Sequence, residues 1–193
     1  SFTPEEVEAL VERTKTHGGH VSYKTNKDGS QSVYELNISY FDALSDPTSS
    51  EPLSRQVDRF VASQAIMLAL QGVPGIYVHS LFGSRSWRKG VEQTGRYRTI
   101  NREKFDRVEL ESALEETDSL RHRVFSAYRQ LLKARCAHPA FHPNGSQDIL
   151  DLGAVLFALA RSAPEGRETL LCLHEVSGDE QRVRIGRGEL PWK

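Results

Sequence analysis

Eight basic residues crowd into one stretch of this 193-residue chain: Arg85, Arg88, Lys89, Arg96, Arg98, Arg102, Lys104 and Arg107 stand against Glu92, Glu103 and Asp106. Arginine's planar fork suits phosphate, carboxylate and vicinal hydroxyls, so the stretch is a candidate anion or polyol site. A solvated basic loop is the plainer alternative. His79, in GIYVHSLFG just upstream, faces a site if that run is a barrel strand, and is a hydrogen-bonded core histidine if not. Tyr34 and Glu35, in SVYELNI, could offer a sugar an aromatic face and a carboxylate. A half-exposed strand pair would look the same. Trp87 serves either as lid or as packing anchor. The pair of carboxylates that such chemistry usually needs is not identifiable. There is no P-loop, GxGxxG, GxSxG, HExxH or CxxC. The seven histidines do not cluster at metal-ligand spacing, and Pro139 breaks the pairing of His138 with His142, so neither metal nor cofactor is expected.

The positioning elements follow from periodicity and punctuation. Thr3, Pro4 and Glu6 form a capping box at the head of a helix reaching about Thr16, with Val7, Leu10 and Val11 as its stripe. VSYKT and SVYELNI alternate like strands around the turn signal Asn26-Lys27-Asp28-Gly29, which predicts a β-hairpin. Residues 40–50 read as a connection. A helix from about Pro52 carries Leu53, Val57, Phe60, Val61, Gln64, Met67, Leu68 and Gln71 on one face and stops at Gly72. Residues 75–81 are apolar, branched and aromatic, which predicts a strand buried on both faces, as in a parallel sheet. Ligands sit at the C-terminal end of such strands, where the arginine stretch begins. Asp106 caps a short helix through Leu114. Thr117 or Asp118 caps a longer one through about Ala137, with Leu120, Val124, Tyr128, Leu131 and Leu132 on one face. Beyond residue 138, SQDILDL, AVLFALAR, ETLLCLHEV and QRVRIG read as the strands of a small antiparallel sheet.

Composition narrows the classes. The apolar fraction of 38% allows a core. A net charge of −1 supplies no global field for nucleic acid or an acidic membrane, and neither is an expected partner. Cys136 and Cys172 read as buried free thiols. The longest apolar run, residues 154–160, is too short to span a bilayer. The acidic N-terminal SFTPEEVEAL has no signal-peptide pattern, and the expected setting is soluble and cytoplasmic.

The stretches SVYELNISYFDALSD, LQGVPGIYVHSLFGSRS and GRYRTINR, in this order and spacing, resemble the C-terminal part of a sucrose phosphorylase-type enzyme of the alpha-amylase superfamily. The match covers roughly residues 30–135. VHSLFGS is most similar to relatives acting on sucrose 6-phosphate or glucosylglycerate. The resemblance implies an α/β chain followed by β: the C-terminal piece of a (β/α)8 barrel in residues 1–138, then a small antiparallel β-domain in 139–193. On that map residues 1–40 end an inserted subdomain, 58–71 are helix seven, 75–81 strand eight and the helices after Asp106 the eighth-helix region.

The family's chemistry is retaining glucosyl transfer to phosphate, giving glucose 1-phosphate. The implied partners are a small-molecule sugar and inorganic phosphate. Tyr34 and Arg98 match the family's phosphate-side positions, and Arg96 is an alternative to Arg98. Glu35 stands where an amide is expected, which bears on acceptor preference. The nucleophile, acid/base and stabiliser belong to strands upstream, so no catalytic residue is expected in this chain. One strand cannot close a barrel. The chain is therefore expected to be inactive alone, completed by the missing N-terminal barrel or by self-association. The alternatives are a hydrolase or transglucosidase fragment of the same superfamily, and a non-catalytic anion-binding module.

Overall fold

A computed structural model describes residues 2–183; half of the last expected strand, QRVRIG, lies outside them. The chain divides into two compact units. One comprises the residues up to Gln56 with Tyr77–Arg123, the other Val57–Ile76 with the residues from Val124 on.

The first unit begins with α1 (Pro4–Thr16). Thr3 and Glu6 close the expected capping box, each side chain accepting from the other's backbone N–H. β1 (His20–Thr25) and β2 (Gln31–Asn37) form the predicted antiparallel hairpin. The ladder is irregular at one place. Ser22 pairs with Glu35 and Tyr23 with Val33, which leaves Tyr34 as an extra residue in a β-bulge. The expected connection after Asn37 holds a short helix, α2 (Tyr40–Leu44), because Ser39 accepts from the N–H of Asp42 and caps it.

Residues 75–81 are not a strand. The backbone is extended up to Tyr77 and then makes one helical turn, α4 (Val78–Leu81). Ile76, Tyr77 and Val78 are exposed rather than buried. A strand of a parallel sheet exists only by hydrogen bonding to neighbours, and no strand among the described residues lies beside this one. His79 accordingly sits on a helical turn.

The arginine stretch is also more ordered than a loop. It contains α5 (Arg88–Thr94) and a 3-10 turn, Tyr97–Asn101. Trp87 donates its backbone N–H to Ile100 O at 2.9 Å and lays its ring over Gly90. It is a packing anchor. A Cβ on Gly90 would fall 2.2 Å from the Trp87 ring. Gly90→Ala is expected to cost about 1–3 kcal/mol through overpacking, read as a lower urea midpoint. An unchanged midpoint would mean that the indole moves aside freely. α6 (Arg107–Glu115) starts, as expected, on Asp106, whose carboxylate accepts from the N–H groups of Val108 and Glu109.

α3 (Leu53–Ala69) runs from the first unit into the second, and so does α7 (Leu120–Ala137). Ser119, rather than Thr117 or Asp118, caps α7: its hydroxyl accepts from the N–H of His122. In the second unit the α3 stripe buries Val57, Phe60, Gln64 and Leu68. Buried Gln64 is satisfied by the Tyr128 hydroxyl at 2.9 Å. Three of the four expected strands form an antiparallel sheet in the order β3 (Ser146–Leu150), β4 (Leu156–Ser162), β5 (Thr169–Glu175). Central β4 buries Ala158, Leu159, Ala160 and Arg161 in succession, so both of its faces are covered. Both cysteines are free, but the expectation of burial fails. Cys136 is exposed and Cys172 half-buried, because the apolar neighbours of Cys136 in sequence point away from it around the helix. Among the described residues no helix is long and apolar enough to cross a membrane, and no group of side chains could hold a metal ion.

Candidate functional site

The hairpin and the arginine stretch meet in the first unit around a cleft of about 460 Å³, lined by Ser22, Tyr34, Glu35, Gly95, Arg96, Tyr97, Arg98, Thr99 and Arg102. Neighbouring residues of a regular strand face opposite ways, so Tyr34 and Glu35 could not ordinarily share one surface. The bulge at Tyr34 turns both toward the cleft. The opposite wall is the 3-10 turn. Tyr97 is stacked flat on His20, with centroids 4.3 Å apart and planes within 2°. Thr99 and Thr94 share a hydroxyl hydrogen bond of 2.9 Å.

Charge is unevenly committed. Arg98 Nε donates to Glu35 Oε2 at 2.6 Å, and its guanidinium lies 5.9 Å from the Tyr34 ring centroid. The hydrogen bond to Glu35, then that carboxylate's charge, then the Tyr34 hydroxyl hold the Arg98 pKa above the ordinary arginine value. The Arg96 and Arg102 side chains have no hydrogen bond or ion pair among the described residues. The remaining arginines of the stretch serve the fold. Arg85 pairs with buried Asp42 at 2.9 Å and with Gln56 at 2.6 Å, Arg88 donates to His17 O at 3.0 Å, and Arg107 pairs with Glu111 at 2.8 Å.

Four of the five expected site residues, Tyr34, Glu35, Arg96 and Arg98, therefore line one cleft. His79 lies elsewhere, hydrogen-bonded to the Ser84 hydroxyl at 3.1 Å and packed on Tyr77 and Phe105. Burial holds its pKa below the usual histidine value. It is a half-buried, hydrogen-bonded histidine outside the cleft. The cleft also contains Arg102, one of the basic stretch and the end of GRYRTINR, and Ser22 and Tyr97, which nothing in the sequence marks. Retaining glycosyl transfer needs two carboxyl groups roughly 5–5.5 Å apart. This cleft has one, and it is already bound to Arg98. What the arrangement can do is hold an anion or a polyol.

Comparison with known proteins gives a consistent answer. No family model matches the chain. The chain is 45% identical over 177 residues to the glucosylglycerate phosphorylase of Spirochaeta thermophila, an alignment covering 92% of this chain and 30% of the relative. It is 37% identical to the Escherichia coli glucosylglycerate phosphorylase over 93% of its own length and 32% of the relative's. The chain is similar in sequence to part of the glucosylglycerate phosphorylases, in keeping with the resemblance to sucrose phosphorylase-type enzymes that its motifs carry. The structure of sucrose 6F-phosphate phosphorylase from Thermoanaerobacter thermosaccharolyticum superposes with a TM-score of 0.63 at 19% identity, covering 95% of this chain and 37% of that one. That likeness concerns the fold. The chain spans about a third of the length of the sucrose phosphorylase-type relatives it matches.

Proposed function

We propose that the cleft is the phosphate and acceptor side of a retaining glycoside phosphorylase whose catalytic carboxylates lie on other parts of the polypeptide. Residues 1–138 belong to the end of its (β/α)8 barrel, 75–81 taking up a strand position once neighbours are present, and 139–193 to a small β-domain. In this reading a carboxylate attacks the anomeric carbon of an α-glucoside while a carboxylic acid protonates the leaving oxygen. Phosphate then attacks the glucosyl-enzyme and gives up a proton to the same base, and glucose 1-phosphate leaves. Arg96 and Tyr34 bind and orient the phosphate, and Arg98, held by Glu35, adds its remaining donors. The 193-residue chain by itself is inactive.

The observation that carries this reading is the bulge-built cleft, which joins Tyr34 to the arginines of GRYRTINR. Glucosylglycerate is the favoured donor, because relatives bearing that name share 45%, 44% and 37% identity, against 28% for a sucrose phosphorylase. The test uses the full-length protein containing these residues. Glucose 1-phosphate should appear from glucosylglycerate only when phosphate is supplied. Arg96→Ala with Arg98→Ala should raise KM for phosphate roughly 10- to 100-fold, the range for losing charge-assisted hydrogen bonds. Release of free glucose without phosphate would make the enzyme a hydrolase and overturn the reading.

A further inference from the structure

We propose that Glu35 tunes the charge class of the acceptor: by neutralising Arg98 it lowers the cleft's preference for a doubly charged phosphomonoester relative to a singly charged carboxylate. This rests on the reading of the cleft just given. Three guanidiniums line the cleft, and Glu35 is the one carboxylate among the lining residues. Glu35 Oε2 lies 2.6 Å from Arg98 Nε, where a ligand's own carboxylate oxygen would otherwise approach. It acts as a built-in anion. The bulge fixes it there, because Glu35 pairs with Ser22 while the extra residue, Tyr34, stands beside it. Arg96 and Arg102 keep free donors for the incoming ligand.

The selectivity follows from Coulomb's law. A fixed negative charge at the cleft wall repels a dianion twice as strongly as a monoanion at the same distance, and the open, solvated wall keeps the effect moderate. Inorganic phosphate is weakened by the same charge, and Arg96 and Arg102 keep the cleft net positive toward every anion. An amide at position 35 would free Arg98 and favour the dianion.

The decisive experiment uses the full-length protein, running synthesis from glucose 1-phosphate with D-glycerate or fructose 6-phosphate as acceptor. Glu35→Gln should shift the ratio of the two kcat/KM values roughly three- to tenfold toward fructose 6-phosphate, mainly through KM. Glu35→Asp should return it toward the parent, and added salt should shrink the shift. If fructose 6-phosphate is not turned over, its inhibition constant relative to glycerate gives the same ratio. If the protein lacks phosphorolytic activity altogether, the functional proposal fails. The ratio of calorimetric dissociation constants for the two anions still decides the role of Glu35. A ratio within twofold of the parent in Glu35→Gln overturns the inference.

Discussion

Arg161→Met is expected to destabilise the sheet-containing unit by about 3 kcal/mol, a large fraction of a domain's stability. Arg161 is fully buried in the central strand at 0% exposure. Its three nitrogens donate to backbone carbonyls only: Nη1 to Ala69 at 2.8 Å, Nη2 to His142 at 2.9 Å and Nε to Ser146 at 3.1 Å. Burial, and next the nearby charge of Arg135, push its pKa down. Two effects therefore oppose each other. Removing the cation relieves an unfavourable desolvated charge. It also removes a donor from three carbonyls, of which His142 O keeps the Gly145 N–H, and a carbonyl left unpaired in the interior costs about 1–3 kcal/mol. The second effect is the larger, since methionine fills the space but offers no donor. Arg135 makes a similar bracket, donating to the carbonyls of Leu68 in the last turn of α3 and of Leu70 and Gly72 just past it. Urea unfolding followed by circular dichroism would measure the loss. A midpoint at or above the parent's would show that relief of the buried charge dominates.

Asp42→Ala should have a comparable effect on the first unit, about 2–3 kcal/mol after allowance for solvent screening of its partner. Asp42 is 1% exposed. One carboxylate oxygen accepts from Arg85 Nη1 at 2.9 Å and the other from the Ser86 N–H at 2.8 Å. The Ser86 hydroxyl in turn accepts from the Ser39 N–H at 3.0 Å, and the Asp42 carbonyl accepts from His17 Nδ1 at 2.6 Å. The start of the arginine stretch is thereby fastened to α2 and to the end of α1. Alanine leaves the Ser86 N–H without its acceptor and the partly buried Arg85 guanidinium with only its hydrogen bond to Gln56. Asp42→Asn keeps one acceptor and should lose about half as much. Equal losses for the two variants would mean that packing, not the ion pair, holds the junction.

How much was legible in the sequence depends on the reach of each interaction. The capping box at Thr3, the hairpin around Asn26–Gly29 and the helix begun by Asp106 are decided within a few residues, and each stands where its residue types put it. The cap of α7 shifted to Ser119 because three neighbouring polar residues competed for one role. Residues 75–81 carry strand residues, but a strand needs partners and none is present among the described residues. The basic stretch gave its charge away and hid its division of labour. Asp42, which claims Arg85, is 43 residues distant, and Glu35, which claims Arg98, is 63 residues distant. The meeting of Tyr34 and Glu35 on one surface was invisible because strand periodicity separates them; only the bulge brings them together.

That bulge also fixes what the hairpin tolerates in length. On either side of it the pairing differs by one step, from Ser22 opposite Glu35 to Tyr23 opposite Val33. Deleting any other residue of β2 would invert the in-and-out order of everything between the cut and the bulge. Dropping Tyr34 alone would leave an uninterrupted ladder with every remaining partner unchanged. The chain thus carries one dispensable link in its scaffold, and that link is the aromatic wall of the cleft.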